Sequence, residues 1–239
     1  MDNKLLDANV RALNSLKRDH NIEVYEKEFL TVYTYDAVSL EGKNKMTYEK
    51  VKRLIELGDK SDYSEREVKE ILNHVKAYNY IIELSNKKNH LTEEDIKDIH
   101  DILEEEISIG GVYRNVNIQI PGATHQPPDN IKVYDRMKRL FRIVEEEKLT
   151  PFDEGVLIHA NLAKIHPFLD ANGRLGRLVL NFYLIKSNYL PITISLNKRN
   201  EYFKSIDTFK VEKDINPLKE FIITELNARY NNLIEKIEN

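Results

Sequence analysis

The chain contains no cysteine, so it can form neither a disulfide framework nor a thiolate metal site. It also lacks an apolar run long enough to span a bilayer, and residues 1–20 are a charged, amphipathic stretch rather than a signal peptide. With a net charge of -4, the chain has no general affinity for nucleic acid or an anionic membrane. These absences favour a cytoplasmic protein whose partners include neither nucleic acid nor membrane.

What the sequence does contain is mainly amphipathic helix. Capping-box signals at Ser64 and Thr92 precede stripes of apolar residues with helical spacing, which predicts an all-α fold. One segment differs, because Val116, Ile118 and Ile120 alternate with polar residues and precede a Pro-Gly turn signal. This alternation predicts a small β-hairpin on the helical bundle, and an irregular loop is the alternative.

The stretch HPFLDANGRLGR, residues 166–177, concentrates the reactive side chains. A residue that precedes proline disfavours helical dihedrals, so one helix is expected to end near His166. Apolar periodicity resumes after Asn172, which predicts that the next helix starts there. The segment is therefore expected to be a short turn between two consecutive helices.

The beginning of that second helix has the features of an anion site. Its unpaired N–H groups and the helix dipole attract phosphate, and Gly173 allows the backbone to approach it closely. Arg174 and Arg177 are three residues apart, so both guanidinium groups can bind phosphate oxygens. Asp170 is a candidate Mg²⁺ ligand and His166 a candidate general base. Together they indicate phosphoryl or nucleotidyl transfer, although each residue alone is more often structural.

The same stretch resembles the signature of the Fic family, His-x-Phe-x-(Asp/Glu)-(Gly/Ala)-Asn-(Gly/Lys)-Arg-x-x-Arg, and meets every specified position. The resemblance implies a Fic-type helical bundle that transfers AMP from ATP, with Mg²⁺, to a Ser, Thr or Tyr hydroxyl of a target protein or of the chain itself. By position, His166 would be the base and Asp170 would hold the metal. Asn172, Gly173, Arg174 and Arg177 would bind the ATP phosphates.

The resemblance also assigns the predicted hairpin. It would be the family's flap, on which the target lies as an added strand along Asn117, Ile118, Gln119 and Ile120. Many family members have glycine where this chain has Ala171. At a positive φ, alanine would cost on the order of 1 kcal/mol and could distort the phosphate site; otherwise Ala171 is harmless, and the harmless case is the expectation.

A second stretch, ending in Glu41-Gly42, resembles the family's inhibitory motif, (Ser/Thr)-x-x-x-Glu-(Gly/Asn). Ala37 stands where the motif has Ser or Thr, which would weaken the inhibition. In the family, the glutamate pairs with the second arginine, here Arg177, and blocks the γ-phosphate position. A helix end followed by a turn is the alternative interpretation.

Other functions stay open on the same sequence. The site could transfer another nucleotide or phosphate group, or remove AMP from a target. The chain could also be a non-catalytic, toxin-like or regulatory binding module, or a generic helical scaffold. We predict an N-terminal helical region at 1–90, which carries the inhibitory motif, and a Fic core domain at 91–239. Self-association into a homo-oligomer is a further expectation from the resemblance.

Overall fold

The computed structural model describes residues 4–17, 20, 22–61, 63–120 and 125–238. Over these residues the chain forms ten α-helices and no β-strand, so the all-α prediction is confirmed for this part of the chain. None of the described helices has the length and apolar character needed to cross a membrane. The helices are α1 (Lys4–Leu16), α2 (Glu23–Ser39), α3 (Tyr48–Leu57), α4 (Glu65–Lys87), α5 (Glu93–Glu104), α6 (Val133–Glu146), α7 (Pro151–Ile165), α8 (Asn172–Lys186), α9 (Arg199–Glu212) and α10 (Asn216–Glu238).

The predicted capping signals are confirmed at the starts of α4 and α5. The Ser64 and Thr92 side chains accept hydrogen bonds from the backbone N–H groups of Glu67 and Asp95. The two carboxylates in turn accept hydrogen bonds from the backbone N–H groups of the capping residues. These contacts satisfy donors that the helix itself leaves free, so the local sequence determines where each helix begins.

Helices α7 and α8 form the centre of the bundle. They approach closely because α7 has a glycine at the contact: a Cβ atom added to Gly155 would lie 2.4 Å from the Cβ of Tyr183. One apolar cluster packs α2, α4, α5 and α6 against this pair, and another packs α1, α9 and α10 against it. The turn at 166–171 is therefore held by a helix pair that is packed on two sides.

The segment that connects α2 and α3 lies beside this turn. Met46 is buried in a smaller apolar cluster with residues of α2, α3 and α4. The Asn44 side-chain amide donates to the Glu67 carbonyl at 3.2 Å and to the Glu70 carboxylate at 3.1 Å. These contacts anchor the part of the chain that carries Glu41 and Gly42. Both larger apolar clusters include residues from either side of position 90, and the division into 1–90 and 91–239 stays a prediction.

The predicted β-hairpin is wrong over the residues that the structure describes. The segment at 112–120 is irregular, and the Pro121-Gly122 turn lies outside the described residues. Side chains bond to backbone groups here: the Gln126 amide accepts from Ile120 N–H at 2.9 Å and donates to Ile120 C=O at 3.1 Å. The Asn117 side chain likewise accepts from Asn130 N–H at 2.7 Å. The alternation of apolar residues predicted a β-ladder, but side-chain amides form hydrogen bonds with backbone groups that a neighbouring strand would otherwise pair.

Candidate active site

His166 lies at the C-terminus of α7, as the proline signal predicted. It adopts a left-handed conformation with φ 50° and ψ 64°, and its N–H donates to the Leu162 carbonyl. Burial lowers the pKa of His166 to about 4, and the positive charges of Lys210 and Arg114 act in the same direction. The imidazole is therefore neutral near pH 7, which is the form that a general base requires.

The Asn172 side chain closes the turn between α7 and α8. Its oxygen accepts from Phe168 N–H at 3.0 Å, and its nitrogen donates to the carbonyls of Phe168 and Asp170 at 2.9 and 3.1 Å. Asn172 is 3% exposed, so the side chain is committed to the turn. Any contact that residue 172 makes to a phosphate would therefore use its backbone.

Ala171 corrects one expectation. Its φ is 54° and its ψ is 7°, so the residue occupies the left-handed region that we expected it to avoid. The side chain is buried in the larger apolar cluster, and the residue directly precedes α8 as its N-cap. Alanine in this conformation stores strain on the order of 1 kcal/mol, which the packing of the turn must offset.

The Glu41 carboxylate occupies the predicted anion site at the N-terminus of α8. One oxygen accepts from Arg174 N–H at 3.0 Å, and the other accepts from Arg174 Nε at 3.0 Å. The contact to Arg177 Nη2 is longer, at 3.5 Å. A Cβ atom on Gly173 would lie 2.9 Å from the nearer Glu41 oxygen, so glycine permits this approach. Glu41 thus contacts Arg177, but its shorter hydrogen bonds go to Arg174.

Ala37 contributes through its backbone. Arg177 Nη2 donates to the Ala37 carbonyl at 2.7 Å, a contact that does not need a side-chain hydroxyl. The last turn of α2 therefore binds the Arg177 guanidinium group although position 37 lacks Ser or Thr.

Arg174 is deeply buried, with 1% of its side chain exposed. Burial alone would lower its pKa, but the carboxylates of Glu41 and Glu104 outweigh this effect and the pKa is raised. Arg174 Nη1 and Arg177 Nε are buried and have no hydrogen-bond partner among the described residues. Both arginines therefore hold a buried donor that the described residues leave unsatisfied.

Asp170 is paired with two cations. Both of its oxygens lie 2.7 Å from Lys43 Nζ, and one lies 3.1 Å from Arg66 Nη2. Burial would raise its pKa, but the hydrogen bonds from Lys43 and from Ala171 N–H outweigh burial, and the pKa is lowered. Asp170 is consequently ionised near pH 7, as a metal ligand must be.

Sequence comparison places these residues in a known family. Residues 90–184 match the Fic/DOC family. Over 229 residues the chain is 30% identical to a protein adenylyltransferase Fic of Drosophila yakuba. The chain carries a Fic/DOC domain. That alignment covers 91% of this chain and 44% of the relative, so the chain spans less than half the length of this curated Fic protein.

Solved Fic structures support the same fold. A Fic-domain-containing signalling protein from Bacteroides thetaiotaomicron matches with a TM-score of 0.86 at 23% identity, over 98% of each chain. The structure of IbpAFic2 covalently tethered to Cdc42 matches with a TM-score of 0.52 at 18% identity, over 83% of this chain and 63% of that chain. At these identities the likeness extends to the fold.

A divalent cation fits this Fic site on one condition. Within the described ranges no group of three His, Cys, Asp or Glu residues could hold a metal ion. Asp170 supplies one carboxylate, which matches the way Mg²⁺ is bound when phosphates and waters complete its octahedron. The donor set therefore suits a metal that arrives with a nucleotide, provided that Lys43 leaves the carboxylate.

Sequence reasoning missed several residues of this site. His100 accepts from Gly111 N–H through Nδ1, which leaves Nε2–H to donate to the Asp170 carbonyl at 3.2 Å. Its ring also stacks on Phe168, with the centroids 3.7 Å apart. The others are Lys43, Arg66, Glu104 and Arg114. No local spacing links any of these positions to 166–177, because each contact is made only in the folded chain.

Proposed function

We propose that this Fic domain transfers AMP from ATP to a Ser, Thr or Tyr hydroxyl of a target protein or of the chain itself. One observation carries the proposal: a neutral imidazole lies at the end of α7 while the next helix presents an anion site built from backbone N–H groups and two buried guanidinium groups. An internal carboxylate already occupies that site, which supports its affinity for anions. Binding and orientation of the triphosphate would supply most of the catalysis.

The chemistry follows from the residue types. His166 takes the proton of the target hydroxyl, and the hydroxyl oxygen attacks the α-phosphorus of ATP. The bond from that phosphorus to the bridging oxygen breaks, and pyrophosphate leaves. Arg174, Arg177 and the N–H groups near Gly173 hold the phosphates that carry the negative charge. Asp170 would hold Mg²⁺, which would neutralise part of that charge.

The segment Asn117–Ile120 is the proposed docking edge for the target. The backbone N–H groups of Ile118 and Gln119 make no hydrogen bond to another described residue, so they can pair with an extended peptide. In this binding mode the domain recognises mainly the backbone of the target, so targets of different sequence can present the hydroxyl. A Fic relative that is covalently tethered to Cdc42 is consistent with a protein as the target class.

We further propose that residues 41–43 keep the site inactive. The Glu41 carboxylate fills the position that ATP phosphate oxygens would take on Arg174 and Arg177. Two residues later, the Lys43 ammonium group lies on the carboxylate that would hold the metal. One short segment thus places a negative charge where ATP would be and a positive charge where Mg²⁺ would be. Activation requires the segment to move away from both.

The test uses the Glu41→Gly variant, in which the inhibitory carboxylate is removed. The variant is incubated with Mg²⁺ and ATP, UTP or CTP in turn, alone and with a cell lysate, and the proteins are weighed by intact-mass spectrometry. ATP is expected to add one AMP unit to the chain or to a lysate protein. Addition of a different nucleotide or of phosphate alone would replace the proposal with another transfer. ATP binding without any adduct would favour the non-catalytic binding module.

A further inference from the structure

Arg114 connects His166 to the flap segment, whose two described limbs are residues 115–120 and 125–128. The inference drawn from this connection rests on the proposed AMP transfer. The Arg114 side chain is buried, with 3% exposed. Arg114 Nε donates to the His166 carbonyl at 2.9 Å, and Arg114 N–H donates to the Pro167 carbonyl at 2.9 Å. The same residue therefore holds both peptide carbonyls that follow the imidazole.

The other end of the guanidinium group reaches both limbs of the flap segment. Nη1 donates to the Val116 carbonyl at 2.9 Å, and Nη2 donates to the Pro128 carbonyl. Val116 directly precedes the docking edge at Asn117–Ile120, while Pro128 follows the undescribed stretch 121–124. One side chain thus joins the entry and exit of the flap segment to the loop that carries the base.

These contacts explain how a strained histidine keeps its orientation. His166 has a positive φ, which is uncommon for a residue with a side chain and strains the backbone. In this conformation its carbonyl points at Arg114 Nε, so the hydrogen bond stabilises the strained backbone directly. Loss of the bond would allow the backbone and the attached imidazole to relax together.

Arginine suits this position for a geometric reason. Its planar group carries five N–H donors in a fixed fork, and three carbonyls from three segments use the three nitrogens of Arg114. A lysine would keep the charge, but its single nitrogen sits at the end of a flexible stem and cannot fix the three carbonyls relative to each other. Burial lowers the pKa of Arg114, yet a guanidinium group remains charged in proteins.

We propose that Arg114 is a positioning residue that sets the docking edge in register with His166, so that a hydroxyl bound along Asn117–Ile120 is presented to the imidazole. Arg114 touches neither the nucleotide site at Arg174 and Arg177 nor the reacting atoms. Its loss should therefore affect the acceptor side of the reaction and leave ATP binding unchanged. A residue that merely supports the fold would affect both sides together.

The first test needs no activity. Hydrogen exchange is measured by mass spectrometry on the Arg114→Lys and Arg114→Gln variants and on the wild-type chain. Exchange should accelerate in both flap limbs and in the loop 166–170, while α1, α9 and α10 keep their protection. Acceleration in the flap alone, or an equal acceleration throughout the chain, would overturn the proposed coupling. The matched control is Arg229→Lys, since Arg229 on α10 is a half-buried arginine whose guanidinium group lies over the Phe29 ring of α2.

The second test separates binding from transfer. In the Glu41→Gly background, Arg114→Lys should reduce the rate of self-labelling with ATP by about tenfold or more, as expected when a reacting group is misplaced. The dissociation constant for ATP, measured by calorimetry, should stay unchanged. A parallel loss of ATP affinity would identify a structural role and overturn the inference. If the Glu41→Gly parent transfers no AMP at all, the proposed function fails, and hydrogen exchange still decides the role of Arg114.

Discussion

The two sides of His166 are built from different chemistry. On the nucleotide side, Asp170, Arg174 and Arg177 carry charges, and residues 41–43 place an opposite charge on each of them. On the flap side, the buried guanidinium group of Arg114 donates to neutral carbonyls, and amide side chains complete the hydrogen bonding. Ion pairs hold the first side together, whereas hydrogen bonds to backbone groups hold the second.

This difference indicates where regulation can act. Ion pairs at a nucleotide site can be exchanged for a charged ligand, so one segment with two opposite charges can compete with ATP and Mg²⁺. Hydrogen bonds to backbone carbonyls offer no such competitor. We therefore expect the nucleotide side to respond to charge-changing substitutions and to salt, while the flap side responds to changes in shape.

The largest expected effect comes from His166, which lies between the two sides. In the Glu41→Gly background, His166→Ala should reduce AMP transfer on the order of a thousandfold, because a positioned general base typically contributes 10²–10⁴-fold. ATP affinity should be retained, since the anion site does not include the imidazole. Transfer is measured with labelled ATP and affinity by calorimetry. His20→Ala, at an exposed histidine, is the control. Undiminished labelling by the His166 variant would remove it as the base.

Glu41→Gly should produce opposite changes in stability and activity. Without nucleotide, Arg174 loses its closest carboxylate, and the free energy of unfolding should fall by about 1–3 kcal/mol. ATP affinity and transfer should rise by roughly tenfold or more, because the ligand no longer competes with Glu41. Thermal unfolding with and without ATP measures the first effect, and calorimetry measures the second. Glu41→Gln, which keeps the shape without the charge, should lie between. A stable variant with unchanged ATP affinity would contradict the inhibitory role.

The elements that carry the site could be predicted from sequence because their signals are local. Pro167 ends α7 and the capping residues begin α4 and α5, and each effect operates within one turn of helix. The signature 166–177 is likewise contiguous. The left-handed φ of Ala171 was not predictable in this way, because it depends on how the turn packs against the bundle.

The flap and the ion pairs show why the rest could not be predicted. Alternation at Val116, Ile118 and Ile120 has the period of a strand, but Gln126 and Asn117 satisfy backbone groups that a ladder would use. Asp170 and Lys43 are separated by 127 positions, and no periodicity relates them. Long-range pairing is decided by the packing of α2, α3 and α4 around the connecting segment, which composition does not reveal.

Lys43→Met tests the weaker half of the inhibitory segment. The Lys43 side chain is 57% exposed, and exposed ion pairs contribute about 0–1 kcal/mol, so ATP affinity in the presence of Mg²⁺ should rise by no more than about fivefold. The gain should shrink as the Mg²⁺ concentration increases, because the cation and Lys43 compete for Asp170. Calorimetric titrations of ATP at several Mg²⁺ concentrations measure it. Lys45→Met, at an exposed neighbour, should show no gain. A gain that is independent of Mg²⁺ would contradict competition at the carboxylate.

The smallest expected effect is that of mild acid on the base. An ordinary histidine has a pKa near 6.5 and would lose about tenfold of its neutral form between pH 7 and pH 5.5. Burial holds the pKa of His166 at about 4, so the neutral imidazole persists and is lost only as pH falls toward that value. In the Glu41→Gly variant, kcat/KM for transfer should therefore change by less than about twofold over the same interval, since this ratio reports the free enzyme.

The control is circular dichroism at each pH, which separates titration of the base from unfolding. Unfolding must be monitored because the buried His159 has a pKa of about 3 in the folded chain, so the fold loses stability as pH decreases below 6.5. A tenfold loss with the fold intact would mean that the imidazole titrates as an exposed histidine in the working enzyme, and burial would then not protect the base that lies between the two sides.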